Sequence, residues 1–261
     1  MRAVTASSIY RRDKTNVGDW YCAPSRYFEL PEGEGDIFDL DKLSLAPHVV
    51  VGGGGLVAKT FHPLMEKLAA RRPDIRSLVA WGIGESENVD KTGRTVLPFD
   101  GSYPAYLKAF DLVGVRDYGT CYRWVPCVSC MSELFDASYV AETDVCVYEH
   151  KRIPLGISGF PTLSNNGDDL EAVLRFLGSA HVVITNSYHG AYWATLLGRR
   201  VIVVPSMSKL YRFAHAPVIC KAQDWIKYVE LTQHYPNALA ECRAANIAFY
   251  QDVLSLQAQT D

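Results

Sequence analysis

His181-Val182-Val183-Ile184-Thr185-Asn186-Ser187-Tyr188-His189-Gly190 begins as a β-branched run and ends in turn chemistry. A helix is expected from His189 to Leu197, with Gly198 as its C-terminal cap, and Arg200 to Val204 reads as another short strand. Strand, turn, helix and strand at this spacing form a βαβ unit, which requires parallel strands and a right-handed crossover.

Outward from that unit the same logic recurs. Towards the N-terminus, Pro47 to Val51 is a strand, Gly52 to Gly55 a tight turn, and Leu56 to about Arg72 an amphipathic helix with a kink at Pro63. Ser77 to Trp81 and Leu112 to Val115 follow as buried strands, and the first sustained apolar run is placed only after Pro47. Val145 to Tyr148 and Pro154 to Ile157 are further candidate strands. Asn165-Asn166-Gly167 is a loop, after which Asp168 or Asp169 caps a helix whose Leu170, Val173, Leu174 and Leu177 share one face. A last helical pattern runs from Asn237 to Leu256. The fold class is therefore α/β with two parallel-sheet domains, assigned to residues 1–138 and 139–261.

Bulk properties narrow the function. The 261 residues are 48% apolar and 21% charged, the composition of a packed globule. A formal net charge of −3 gives no field that gathers phosphate backbones, so nucleic acid is excluded as a partner. Val49 to Val51 and Val201 to Pro205 are far shorter than the roughly 20 residues of a membrane helix, and Met1-Arg2-Ala3-Val4 has no apolar signal core. A cytoplasmic location is expected. Seven cysteines, an odd count at irregular spacing, suit free thiols. Cys127 and Cys130 form a CxxC that Cys146 and His150 could complete as a zinc site, but Cys146 sits in a strand pattern and packing thiols are the favoured reading, with no metal assigned.

In a parallel sheet ligands lie beyond the carboxyl ends of the strands. Three segments fall there: Gly52 to Gly55, Val115-Arg116-Asp117, and Asn186 to Gly190. The glycine run fits neither GxGxxG nor the Walker A pattern, and is either a tight structural turn or an anion contact. His189 opens a helix, where the helix field disfavours imidazolium and a bound anion favours it; it is a proton donor or a capping residue. Tyr10-Arg11-Arg12 and Trp20-Tyr21 form an aromatic and basic patch or pack a core edge.

Taken in order, Asn16-Val17-Gly18-Asp19, Gly52 to Gly55 with Leu56, Val115-Arg116-Asp117, and Thr185-Asn186-Ser187-Tyr188-His189-Gly190 resemble the polysaccharide pyruvyltransferases, from about residue 16 to residue 210. The resemblance implies two Rossmann-like domains arranged as in GT-B glycosyltransferases, with an N-terminal acceptor side and a C-terminal donor side. It implies phosphoenolpyruvate as donor, no further cofactor, and a sugar or lipid-linked oligosaccharide acceptor that leaves as a pyruvate ketal in exopolysaccharide or cell-surface glycan biosynthesis. A lipid-linked acceptor would bring peripheral contact with the inner face of the membrane. By this likeness Arg116 holds the donor, His189 is the catalytic histidine, and Lys209 is a further donor-binding cation. Ser187, Tyr188 and Gly190 flank His189 on the donor side, and Asn16, Gly18, Gly53 and Gly54 are assigned to the acceptor. Asp19 either orients or deprotonates an acceptor hydroxyl or caps a turn. Many members carry Arg-Leu before the histidine where this sequence has Ser187-Tyr188, so one guanidinium is missing, and Lys209 or Arg212 is expected to supply its charge. The competing readings are a GT-B glycosyltransferase using a nucleotide sugar and a catalytically silent sugar-binding protein.

Overall fold

β-branched and apolar runs buried on both faces account for the strands of two parallel sheets, which the computed structural model describes over residues 4–30, 33–86 and 97–260. The first sheet contains β1 (Val4–Tyr10), β2 (Glu34–Asp36), β3 (Leu43–Gly52), β4 (Ser77–Ile83), β5 (Leu112–Val115) and β6 (Arg123–Trp124), in the order β2-β1-β3-β4-β5-β6. The second contains β7 (Thr143–Glu149), β8 (Thr162–Ser164), β9 (Ala180–Thr185), β10 (Arg200–Val203) and β11 (Val218–Ile219), in the order β11-β10-β9-β7-β8. Every pairing in both sheets is parallel. These are two Rossmann-like α/β domains in a GT-B-like arrangement. The helices are α1 (Val17–Trp20), α2 (His62–Ala70), α3 (Leu170–Gly178), α4 (Tyr188–Leu196) and α5 (Ala238–Thr260).

The βαβ unit read from 181–204 is present as β9, α4 and β10, with Gly198 at φ +69° after the helix. Asp169 caps α3 by accepting from the Ala172 amide. β1, unassigned from the sequence, lies between β2 and β3, its serines satisfied internally: Ser7 Oγ donates to Gly33 O and Ser8 Oγ bonds Ser25 Oγ. Two expectations are corrected. The helix expected from Leu56 starts only at His62, since the intervening backbone is tied to the end of β4 through Gly53 N to Trp81 O and Val57 N to Gly84 O; Pro63 then sits in the first turn and kinks nothing. Pro154 to Ile157 is a loop, its extended path broken by Gly156 at φ +69°, although Leu155 and Ile157 still pack near Val182 and Ile184.

The first sheet ends at Trp124 and the second begins at Thr143. Within residues 139–261, α5 belongs to both cores. Ala238 and Cys242 join the cluster around α3 and α4, while Phe249 and Val253 cover Val50, Val79 and Trp81 of the first sheet. A buried bond from Trp81 Nε1 to Asn246 Oδ1, 2.8 Å, fixes that second attachment.

Candidate active site

The carboxyl ends of β1, β3, β4, β5, β7, β9 and β10 all open on one cleft of about 400 Å³ between the sheets. On the second-domain side α4 is buried along its whole length, so its start is held rigidly at the cleft. Ser187 caps it by accepting from the Gly190 amide, and Thr185 Oγ1 accepts from Ser187 N at 2.9 Å. Asn186 ties the turn to the end of β7, accepting from His150 N and donating to Ile153 O, each at 2.7 Å. A Cβ at Gly190 would lie 2.4 Å from the Tyr148 ring, so glycine is what lets α4 sit against β7. The positive end of the helix dipole therefore points at the cleft, where it favours an anion.

Facing it, Arg116 leaves the end of β5 with 2% of its surface exposed. Its guanidinium carbon lies 4.1 Å from the Tyr188 ring centre, Nη2 donates to Glu85 O, and Nε is buried without a partner. Space for it comes from Gly84, where a Cβ would fall 2.5 Å from Nε. Asp117 beside it accepts from Glu85 N and from Tyr103 OH, both at 2.9 Å. Lys209, in the short 3-10 turn Ser208–Tyr211, reaches the same cleft.

Burial and mutual repulsion set the protonation of this group. Lys209 is pushed down to about 8 by burial and then by Arg116, against the pull of Asp19, Glu85 and Asp117. His189 is held well below its ordinary value by burial, Arg116 and Lys209, so the ligand-free imidazole is neutral. His150 falls to about 4 through burial and the cations Lys209, Lys151 and Arg152. Asp19 is pushed up by burial and held back by Lys209 and Arg116. The cleft thus stores uncompensated positive potential that a bound anion would relieve.

Of the residues singled out in the sequence, Asn16, Asp19, Arg116, Ser187, Tyr188, His189 and Lys209 line the cleft together. Asn16 accepts from Gly18 N and donates to Asp19 Oδ2 at 2.8 Å, so Asp19 is oriented by the same loop. Gly18 is a close-approach position: a Cβ there would overlap His189 Nδ1 at 1.9 Å. Gly190 packs behind the wall, and Gly53, at φ +65°, lies against the Cys22 carbonyl. Gly54 faces the Cys22 thiol and Asp19. Arg212 is elsewhere, its guanidinium donating to the carbonyls of Phe99, Tyr118 and Gly119. The cleft's additional cations are Arg11, ion-paired with Asp36, and Arg152, exposed in the turn after β7. The sequence offers His150 only as a zinc ligand, Asn186 only within the segment beyond β9 and Asn165 only as loop, and it does not single out Ser206, all of which line the cleft. Cys146 lies against α3, Cys130 against Asn246, and Cys127 against His189. Among the described residues no group of three His, Cys, Asp or Glu is placed to hold a metal.

A family model for polysaccharide pyruvyl transferase matches residues 6–206. This chain belongs to that family. The matched span runs from β1 to just beyond β10 and includes every cleft residue named above except Lys209. No curated protein matches this pyruvyl transferase family member. A solved structure of a protein of uncharacterized function from Klebsiella pneumoniae subsp. pneumoniae NTUH-K2044 is similar at 14% identity, covering 77% of this chain and 83% of that one, with a TM-score of 0.43. No helix among the described residues of the pyruvyl transferase is long and apolar enough to cross a membrane.

Proposed function

We propose that the chain moves a pyruvyl unit from phosphoenolpyruvate onto a sugar as a ketal, in the building of an exopolysaccharide or cell-surface glycan. The observation that carries this reading is the pairing of two buried or half-buried cations, Arg116 and Lys209, with a neutral His189 at the start of α4. A donor with a carboxylate and a phosphate needs such charge, and a guanidinium fork suits both groups. Those cations meet the donor's charge without a metal or further cofactor, so chelator is expected to leave turnover unchanged.

The order of protonation follows from the electrostatics. Donor binding offsets the field of Arg116 and Lys209, which raises the affinity of His189 for a proton. The imidazolium then protonates the donor's methylene carbon while a sugar hydroxyl attacks the adjacent carbon, its proton passing to Asp19, whose raised pKa makes it a better base than an ordinary carboxylate. The new C–O bond gives a tetrahedral intermediate; the C–O bond to phosphate then breaks, and a second hydroxyl attacks the same carbon and gives its proton to the now neutral His189, closing the ketal. Of the two expected replacements for the guanidinium missing at Ser187-Tyr188, Lys209 reaches the cleft and Arg212 does not. The sugar can be free or lipid-linked; the latter requires contact with the inner membrane face.

Incubation with phosphoenolpyruvate and a panel of sugar acceptors tests the reading. Phosphate release with an acceptor mass gain of about 70 Da is expected, whereas hexose transfer from a nucleotide sugar adds about 162 Da, and fold alone does not separate these donors. Turnover of nucleotide sugars with none of phosphoenolpyruvate would replace the proposal with the glycosyltransferase reading.

A further inference from the structure

Behind His189 lies a row of buried polar groups that the proposed reaction does not use. Trp193 Nε1 is 2.9 Å from Ser129 Oγ, Ser129 Oγ is 3.3 Å from Cys127 Sγ, and Cys127 Sγ is 3.5 Å from His189 Nε2. Trp193, Ser129 and Cys127 are each fully buried. Cys127 caps the 3-10 turn Val128–Met131 and Ser129 lies within it, while Trp193 and His189 come from successive turns of α4, so the row bridges the interdomain segment and the helix.

The row has a direction. An indole nitrogen can only donate, so Ser129 Oγ accepts from Trp193 and must send its own proton elsewhere. The remaining side-chain neighbour of that hydroxyl is Cys127 Sγ. Burial keeps the Cys127 thiol protonated, and with its sulfur accepting from Ser129 its proton is free to point at His189 Nε2. We infer that the chain Trp193 to Ser129 to Cys127 to His189 is a one-way hydrogen-bond relay that fixes neutral His189 as the Nδ1–H tautomer. Cys127, Ser129 and Trp193 are then positioning residues; Nδ1, on the Gly18 side of the ring, already carries its proton at rest, and the proton taken up on donor binding enters at Nε2, with the Cys127 sulfur turning from donor to acceptor. A Cβ at Gly18 would overlap Nδ1, so glycine is what lets the imidazole sit there.

This deepens the proposed reaction and rests on it only for the kinetic arm of the test. Nitrogen-15 NMR of the imidazoles at neutral pH reads the tautomer with no substrate present. The expected spectrum has a protonated Nδ1 and an unprotonated Nε2 for His189; a protonated Nε2 would overturn the inference whether or not the chain consumes phosphoenolpyruvate. Cys127→Ala is expected to shift the population towards the Nε2–H form, and Cys127→Ser, which retains a donor, to keep the parent spectrum. Ser129→Ala is the second route, since it removes the hydroxyl that orients the thiol without touching His189. With donor and acceptor, Cys127→Ala should lower kcat about tenfold with KM for phosphoenolpyruvate unchanged and Cys127→Ser restoring most of it. Cys127→Ala and Ser129→Ala proteins that both fold and keep a pure Nδ1–H signal would show that the relay does not set the tautomer.

Discussion

After β3 the chain turns through Gly52–Gly55 and travels to His62 before a helix starts, whereas after β9 it turns through Asn186 and Ser187 and is helical by Tyr188. Both turns stand at the carboxyl edge of a parallel sheet. In the first, the Gly53 amide is consumed by Trp81 O and the glycines make room for Cys22, Pro24 and Ser86, so the turn serves packing. In the second, side chains of Thr185, Asn186 and Ser187 satisfy the turn and leave the start of a rigid helix facing the cleft. Of the two turns, only the polar one delivers a helix start directly to the cleft.

That contrast predicts that variants at the second turn cost activity and variants at the first cost stability. The largest effect is expected for His189→Ala, where kcat should fall about a hundredfold or more while melting temperature and donor affinity change little. His189→Gln separates geometry from proton transfer, because the amide bonds but does not deliver a proton at useful pH. If His189→Gln turns over like the parent, the histidine only packs against Cys127 and Trp193 and the two turns are alike in being structural.

Next is Arg116→Ala, which removes a charge-assisted contact worth about 1.5 to 3 kcal/mol and should weaken donor binding about ten- to a hundredfold by calorimetry, with turnover at saturating donor better preserved. Unchanged donor affinity would move the anion site away from β5.

Gly53→Ala probes the other turn. At φ +65° with a Cβ 2.0 Å from the Cys22 carbonyl oxygen, it combines strain and overpacking. A loss of about 2 to 4 kcal/mol is expected in urea unfolding, with donor affinity of the folded protein kept within about threefold. Gly198→Ala, also at positive φ but in open space, should lose only about 1 kcal/mol. A Gly53→Ala protein of parent stability that no longer binds the donor would restore the glycine run as an anion site.

The gentlest effect is in pH. His150, at about 4, and His189, also depressed, stay neutral in the fold while their unfolded counterparts take protons below about 6.5. The unfolded state then binds more protons, so ligand-free stability falls as pH drops from 6.5 towards 4. Phosphoenolpyruvate should flatten this slope and bind with proton uptake near pH 8, where Lys209 titrates, as read from calorimetry in buffers of different ionisation enthalpy. Proton release on binding would contradict the electrostatic account of the cleft.

Much of this was legible in the residues. The unit β9-α4-β10 could be read because its apolar runs, its Ser187 cap and Gly198 all agree locally. β1 was not, because Thr5, Ser7 and Ser8 look like surface residues until Gly33 and Ser25 are brought beside the two serines by the fold. His189 and Arg116 could be found from their place beyond strand ends and Lys209 from the family resemblance; Arg11 reads only as part of a basic patch, and Arg152 belongs to a turn whose direction depends on how two sheets face each other. Arg212 has the right charge, and the carbonyls of Phe99, Tyr118 and Gly119 take it out of the cleft.

Helix α5 also constrains the order in which the molecule can be made. Val50, Val79 and Trp81 are translated early, yet the side chains that cover them, Phe249 and Val253, leave the ribosome only after the whole second sheet. Until then Phe28, Leu30 and Val125 cover that face only in part, and the first sheet cannot complete its core domain by domain during synthesis. A nascent chain stopped before Asn237 should be sticky and readily bound by chaperones, and release of the last helix should be the step that both seals the first core and sets the spacing of the two sheets.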